Sequence, residues 1–177
     1  FGTHALEKVS LRRVSPQSVL ASNADPFDII DISDDYMDEG PANKYAFTVE
    51  AIRAYLNSLS ANGVVSIPVS IREFPIYAVR LAETIRVALN DVPEPIVVYR
   101  SEWIERILIS KSAFNNEDIG ALQKFCSDLS FDTSYFHGID PKSIEVWNEL
   151  PPVSFETKTE VVSRAGPQDA LRDDLIA

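Results

Sequence analysis

Three features of the 177-residue sequence predict an α/β fold. Runs with strand-like apolar alternation and stripes with helical spacing take turns from residue 9 to residue 129. Two β-rich runs, residues 95–99 and 104–110, are joined by the short Arg100-Ser101-Glu102-Trp103 segment, a spacing that favours a hairpin. Hydrophobic residues make up 45% and charged residues 24%, ordinary values that exclude wholesale disorder and fibrous repeats. Strand, helix, strand, helix, strand, helix and then a hairpin is the order of an open sheet that is mostly parallel and ends in an antiparallel pair.

Residues 9–14, VSLRRV, alternate as a strand does. Ser15-Pro16 then offers an N-cap followed by proline at the first helical position, predicting a short helix through Leu20. Residues 27–33, FDIIDIS, have an apolar, β-branched centre between Asn23-Ala24-Asp25-Pro26 and an acidic loop, and are the best candidate for a buried strand. Residues 34–43, DDYMDEGPAN, are polar and contain Gly40-Pro41, so the chain turns there near solvent. Over residues 44–59, Phe47, Ile52, Tyr55, Leu56 and Leu59 recur at spacings of three and four as one helical stripe, which Asn62-Gly63 is expected to stop. Residues 64–71 read as a strand, with Pro68 implying an edge, a bulge or a strand end. A second amphipathic helix over residues 75–89 is expected to bury Val79, Ala82, Ile85, Ala88 and Leu89, and the hairpin follows. After Asn115-Asn116 a helix over residues 117–129 is capped by asparagine and carries acids in its first turn. Beyond Gly138 the periodicity fades. Residues 151–177 are polar, proline-containing and acidic, and are expected to be a tail or a trimmed continuation of a domain spanning residues 1–150.

The 27 acidic and 16 basic side chains leave a net charge of −11. With no block of lysine or arginine, a large phosphate-backbone footprint is not expected, so nucleic acid is not an expected partner. No apolar run approaches the roughly 18 to 20 residues that cross a bilayer, and no charged-then-apolar leader opens the chain. It reads as a soluble, cytoplasmic domain, whose parent is free to carry membrane-spanning segments elsewhere. A single cysteine, Cys126, excludes an internal disulfide and a cysteine-based zinc site, and fits a reducing compartment. Phe1 in place of methionine suggests a processed chain or a piece of something longer.

In open α/β sheets ligands sit beyond the carboxyl ends of the strands, which directs attention to the end of residues 27–33. Asp31, Asp34, Asp35, Asp38 and Glu39 crowd nine positions there. Carboxylates packed so closely repel one another, which raises some pKa values and suits a proton-accepting base; they also attract an amine or cation. The bland alternative is a solvated acidic loop in an acidic protein. A calcium loop fails on spacing, because with Asp31, Ser33 and Asp35 as the first ligands the sharp-turn glycine falls on Tyr36 and the bidentate glutamate on Ala42. No metal site is expected.

The six glycines are isolated, so no glycine-rich phosphate cradle exists in this chain. No G-x-S-x-G elbow occurs, and His137 before Gly138 reads as a loop or strand-end residue rather than a catalytic base. Trp103 and Trp147 read as hairpin and core anchors, and Cys126, beside Phe125, as a small buried hydrophobe.

The central stretch resembles a known family. Asp28-Ile29-Ile30-Asp31-Ile32-Ser33-Asp34-Asp35, Gly40-Pro41-Ala42, Phe47-Thr48-Val49-Glu50-Ala51-Ile52-Arg53 and Asn62-Gly63-Val64-Val65 are similar, in this order, to the D-V-I-I-x-D-x-S-D-P, G-P-A, L-F-T-x-E-F-Y and P-G-G-V runs of the spermidine/spermine synthase family. These are Rossmann-like S-adenosylmethionine-dependent transferases. The spacing from Phe47 through Arg53 to Gly63 matches without a gap, and Tyr45 to Ala51, YAFTVEA, fits the helix of the bacterial spermine-synthase-like branch. The likeness covers roughly residues 9 to 150.

The resemblance implies aminopropyl or methyl transfer from S-adenosylmethionine or its decarboxylated form to an amine acceptor, with an aspartate at this strand end accepting the amine proton. Counting from Asp28 puts Ser33 in that place and Tyr36 in the place of a second aspartate, whereas counting back from Phe47 lands on Asp35. A serine of ordinary pKa is a poor base, so either Asp34 or Asp35 has taken the role or the reaction has been lost. Asp31 and Ser33 would shape the acceptor pocket and Tyr36 and Tyr45 would line it. The adenine-binding aspartate of the family corresponds to Ser15. The donor loop and its ribose-holding acid would precede residue 9, so this chain alone is not expected to bind the donor. It would be the carboxyl-terminal half of a partial Rossmann-like methyltransferase-type sheet. Its partner would be the remainder of the parent polypeptide, another subunit, or a second copy in a homo-oligomer, because a half sheet leaves an unpaired edge that proteins cover. The alternative is a non-catalytic descendant that binds a polyamine or a protein through its acidic strand end.

Overall fold

The computed structural model describes residues 13–22, 25–32, 44–70, 76–90, 92, 94–101, 103–140 and 142. Four helices, α1 (Pro16–Ser22), α2 (Val49–Ser58), α3 (Ile76–Ala88) and α4 (Asn116–Leu129), accompany five strands. The strands β1 (Phe27–Asp31), β2 (Leu59–Ser70), β3 (Ile96–Arg100), β4 (Ile104–Ser110) and β5 (Asp132–Phe136) form one sheet in the order β1-β2-β4-β3-β5. The fold is α/β, but the expected mostly parallel sheet is corrected. Only β1 and β2 pair in parallel; β2–β4, β4–β3 and β3–β5 are antiparallel. The cause is where the hairpin goes. β1, β2 and β3 all run the same way, as crossovers through α2 and α3 allow. The chain then turns back after β3 and lays β4 into the gap between β2 and β3, and β5 adds on the outside.

Alternation along β2 separates two faces. Val65, Ile67 and Val69 are fully buried with Ile107, Ile109 and Val98 of the neighbouring strands, beneath Ile52, Tyr55 and Leu56 of α2 and Leu81 and Ile85 of α3. Each such side chain contributes about 1.5–3 kcal/mol by leaving water. Within the expected stripe of α3, Val79, Ile85 and Ala88 are buried, and Ala82 and Leu89 are half-buried. The opposite face carries Ser66, Pro68, Arg106, Leu108 and Tyr99. α4 lies over its β3–β5 side, where Tyr99, Phe125 and Phe131 meet with ring centroids 5.8–6.0 Å apart. Toward β1 this face is open, and Ile29 is 69% exposed.

Local chemistry sets the helix ends. Ser15 caps α1, accepting from the Ser18 amide at 3.2 Å. The single helix expected over residues 44–59 is a 3₁₀ turn, Lys44–Phe47, followed by α2, because the Thr48 side chain accepts from the Ala51 amide at 3.2 Å and starts a new helix. Arg53 of α2 donates to the Val87 and Ala88 carbonyls at 3.1 and 3.3 Å, tying α2 to the carboxyl end of α3. Asn115 caps α4 as expected, accepting from Glu117 and Asp118 amides while its own amide donates to Asp118. β5 was not anticipated; its DTSYF sequence alternates but spans only five residues. Residues 9–12 of the first expected strand and the expected tail, 151–177, lie outside the described residues, and Arg13 and Val14 are not in a strand.

Asn62 and Gly63 correct their expected role in β2. Asn62-Gly63 does not stop a helix: α2 ends at Ser58, and both residues lie within β2, where its register with β1 shifts between Phe27 and Ile29. A Cβ on Gly63 would stand 2.6 Å from the Phe27 carbonyl oxygen, so glycine is needed there for close approach of two backbones. Pro68 lies inside β2, opposite Arg106, where pairing with β1 has ended, so its amide side is a local edge. The Ile32 amide donates to the Ser66 carbonyl at 2.9 Å. The next bond of a parallel ladder would need an amide hydrogen at residue 68, which proline lacks, so β1 is released there.

Gly63→Ala is expected to lower stability by about 1–3 kcal/mol, because the Phe27 backbone must move. Gly120→Ala, in α4 with nothing within 4 Å of the new methyl, is expected to raise it by about 0.5–1 kcal/mol. Urea or thermal unfolding of the two variants checks both signs.

Candidate functional site

Asp31 ends β1 and pairs with Ser66, and Arg106 lies opposite Pro68 on β4. All share the open face of the sheet. From one step further along, the Arg106 guanidinium reaches back across β2, and its Nη1 donates to Asp31 Oδ1 at 2.6 Å and to Ser66 Oγ at 2.6 Å. Neither ion is buried: the side chains of Arg106 and Asp31 are 30% and 49% exposed. Such a pair contributes on the order of 0.5 kcal/mol, so it orients side chains more than it stabilises the fold. Tyr99 is the cross-strand neighbour of Arg106 on this face. Burial pushes its phenol up, opposed by the positive charge of Arg106 and assisted by Cys126 and Asp31.

The same face holds a cavity of about 500 Å³ beneath the first half of α4, walled by Val64, Val97, Leu108 and Leu122. Asn115 and Asp118 at its polar end are already engaged as the cap of α4. The cavity lies toward the amino end of β1, since Val64 pairs with Ile29, whereas the Asp31–Arg106 pair marks the carboxyl end. The chemistry belongs to the pair, and the cavity is a recess of mixed polar and apolar lining.

On the packed face a second charged group closes the far corner of the sheet. Arg100 of β3 stands across from Glu105 of β4 and Asp132 of β5, with its Nε 3.5 Å from Asp132 Oδ2. Both carboxylates are fully buried. Removing one partner from such a group leaves a buried charge poorly compensated, which fits a structural role.

Of the residues expected in the site, Asp31 stands at the strand end with Ser66 and Arg106. Ser15 caps α1 and also meets the Ser18 hydroxyl at 2.9 Å. Tyr45 is exposed on the 3₁₀ turn. No hydrogen bond, ion pair or ring contact links either to Asp31 among the described residues. Asp34, Asp35, Ser33 and Tyr36, with Asp38 and Glu39, lie outside the described residues. His137 sits in the turn after β5, as expected, 3.8 Å from Glu94 Oε1. Cys126 is buried, as expected. Trp103 stands at the hairpin connection and is 51% exposed rather than in the core, and Trp147 lies outside the described residues. Sequence reasoning missed Arg106 and Ser66. The available signal for Arg106 was a basic residue at an outward position of the strand-like run IERILIS.

Among the described residues, no group of three or more His, Cys, Asp and Glu side chains is placed to hold a metal ion, and no helix is long and apolar enough to cross a membrane. No protein-family model matches the chain, and no curated protein matches it.

Burial raises the tyrosines Tyr55, Tyr99 and Tyr135 above the ordinary 10.0 and the Cys126 thiol above the ordinary 9.0, the latter opposed by its bond to Thr133. A group raised on folding contributes stability that is complete below its unfolded value and lost as pH climbs through the folded one. Stability against urea should therefore start to fall near pH 9.0 and fall faster beyond 10.0. Tyr135→Phe, which deletes one of these ionisations, should make the alkaline decline shallower; an unchanged slope would count against the burial assignment.

Proposed function

We propose that the chain is the carboxyl-terminal half of a spermidine-synthase-like, Rossmann-like transferase domain acting in the cytoplasm. The intact domain moves an aminopropyl or methyl group from an S-adenosylmethionine-type donor to an amine. One observation carries this reading: a parallel strand, β1, whose carboxyl end bears Asp31, has no partner on its outer edge among the described residues. That edge and the exposed Ile29 beside it call for further strands and covering helices, which in this reading belong to the donor-binding half. Support also comes from the common direction of β1, β2 and β3 and from the hairpin of β3 and β4, both expected from the element pattern of the sequence.

In the reaction the acceptor nitrogen attacks the donor carbon attached to the sulfonium. A nitrogen–carbon bond forms, the carbon–sulfur bond breaks with its electron pair going to sulfur, and a neutral thioether leaves. The amine must surrender a proton, which Asp34 or Asp35 takes as general base. Asp31 is not suited to that task, because its Oδ1 is held by a guanidinium. It shapes the site together with Ser33, Tyr36 and Tyr45.

The second reading, a non-catalytic descendant that binds a polyamine or protein, is favoured by Ser15. Its hydroxyl is committed to the first turn of α1 and to Ser18, where the family would hold an adenine with an aspartate. The test is thermal unfolding of the complete gene product with S-adenosylmethionine, decarboxylated S-adenosylmethionine or spermidine, each supplied separately. A ligand at about 100 times its Kd stabilises by about 2.7 kcal/mol, a shift of roughly 5–10 °C for a domain of this size. Stabilisation by either adenosyl compound is the expected outcome. A shift with spermidine alone selects the binder, and no shift with any of the three removes the transferase reading and the polyamine form of the second reading.

A further inference from the structure

We infer that Arg106 and Asp31 form a subsite for an α-amino acid head group, the guanidinium receiving its carboxylate and the Asp31 carboxylate receiving its ammonium. The inference takes from the proposed function only the location of the ligand, beyond the carboxyl end of β1.

The argument starts from unused hydrogen-bonding capacity. Arg106 Nη1 gives its two hydrogens to Asp31 Oδ1 and Ser66 Oγ. Nε and Nη2 carry three more, none of which is bonded among the described residues, and they form the edge of the guanidinium that receives a carboxylate through two parallel bonds. Asp31 Oδ2 is likewise unbonded among the described residues. Two short bonds to one nitrogen hold the guanidinium in place, and Ser66, one of the two anchors, is itself buried. A ligand therefore meets donors already positioned, which lowers the ordering cost of binding. Both charges remain part-exposed and reachable.

The sign pattern selects the ligand class. A simple amine is attracted by Asp31 and repelled by the adjacent guanidinium, and a simple anion meets the reverse. A zwitterion with carboxylate and ammonium on one carbon satisfies both ions at once. That chemistry has two sources in the proposed reaction: the methionyl head of S-adenosylmethionine, or an acceptor that is itself an amino acid. The decarboxylated donor lacks the carboxylate.

Two matched pairs of probes, each differing only in the α-carboxylate, test this by calorimetric titration of the complete gene product. S-adenosylmethionine against its decarboxylated form examines the donor, and L-ornithine against putrescine examines the acceptor. In at least one pair the carboxylate-bearing member should bind about tenfold more tightly or better, the scale of one added charge-assisted contact. Arg106→Gln should bring that ratio close to one. Arg106→Lys, which keeps the charge but not the two-pronged edge, should leave an intermediate ratio and covers the case in which the glutamine variant misfolds. Asp31→Asn should weaken both members of a pair alike. The idea is overturned if neither pair shows a preference, or if the preference survives in a folded Arg106→Gln protein. Should the decarboxylated donor and putrescine bind as tightly as their partners, the transferase reading stands and this inference falls. Should neither adenosyl compound bind while ornithine is still preferred over putrescine, the transferase reading falls and this inference stands.

Discussion

Everything in the molecule is arranged around β2, the strand that joins the parallel part of the sheet to its antiparallel part. It must accept β1 on one side and β4 on the other, and its composition meets both demands. Val65, Ile67 and Val69 supply a dry face on which α2 and α3 pack. Gly63 lets the β1 backbone come close, and Pro68 ends that contact by withholding an amide. The position at which β1 stops pairing, and hence the position of Asp31, is thus dictated by the side chains of its neighbour. Ser60, donating to Asp28 at 2.7 Å, fastens the irregular start of the same strand pair.

Two arginines of the hairpin show how one alternating pattern serves two purposes. Arg100 points to the packed side and stands among Glu105 and Asp132, in surroundings where charges must be compensated to be tolerated. Arg106 points to the open side, where solvent makes the ion pair weak but leaves donor atoms free. A strand pleat alone separates the two outcomes. One guanidinium closes a corner of the sheet; the other is presented to whatever occupies the crevice beyond β1.

Local features were readable from the sequence because the forces behind them act within a few residues. Ser15 and Asn115 were recognised as caps, since a side chain that satisfies an amide three residues ahead declares itself by spacing. The stripe of Ile52, Tyr55 and Leu56 reported α2 for the same reason. Thr48 went unrecognised as a cap, so one helix was expected where a 3₁₀ turn and a helix stand. β5 was overlooked because five alternating residues give too short a pattern, and its reason for being a strand is β3, which it covers. Of the candidate site, Asp31 was legible as an acid at a strand end, but nothing near it in the chain pointed to Arg106, 75 residues away.

By itself the sequence determined that the fold is α/β, that β1, β2 and β3 follow helical crossovers in a common direction, and that β3 turns back into a hairpin. Each of these rests on periodicity and turn chemistry, which operate over a few residues. Only the tertiary structure decided which strands are neighbours. The turn after β3 placed β4 between β2 and β3, which converted an expected parallel sheet into a mostly antiparallel one. The same insertion set Arg106 opposite Pro68, within reach of Ser66 and Asp31. Adjacency is settled by competition among distant segments for the same hydrogen-bonding edge and the same apolar layer, and no local pattern records the winner.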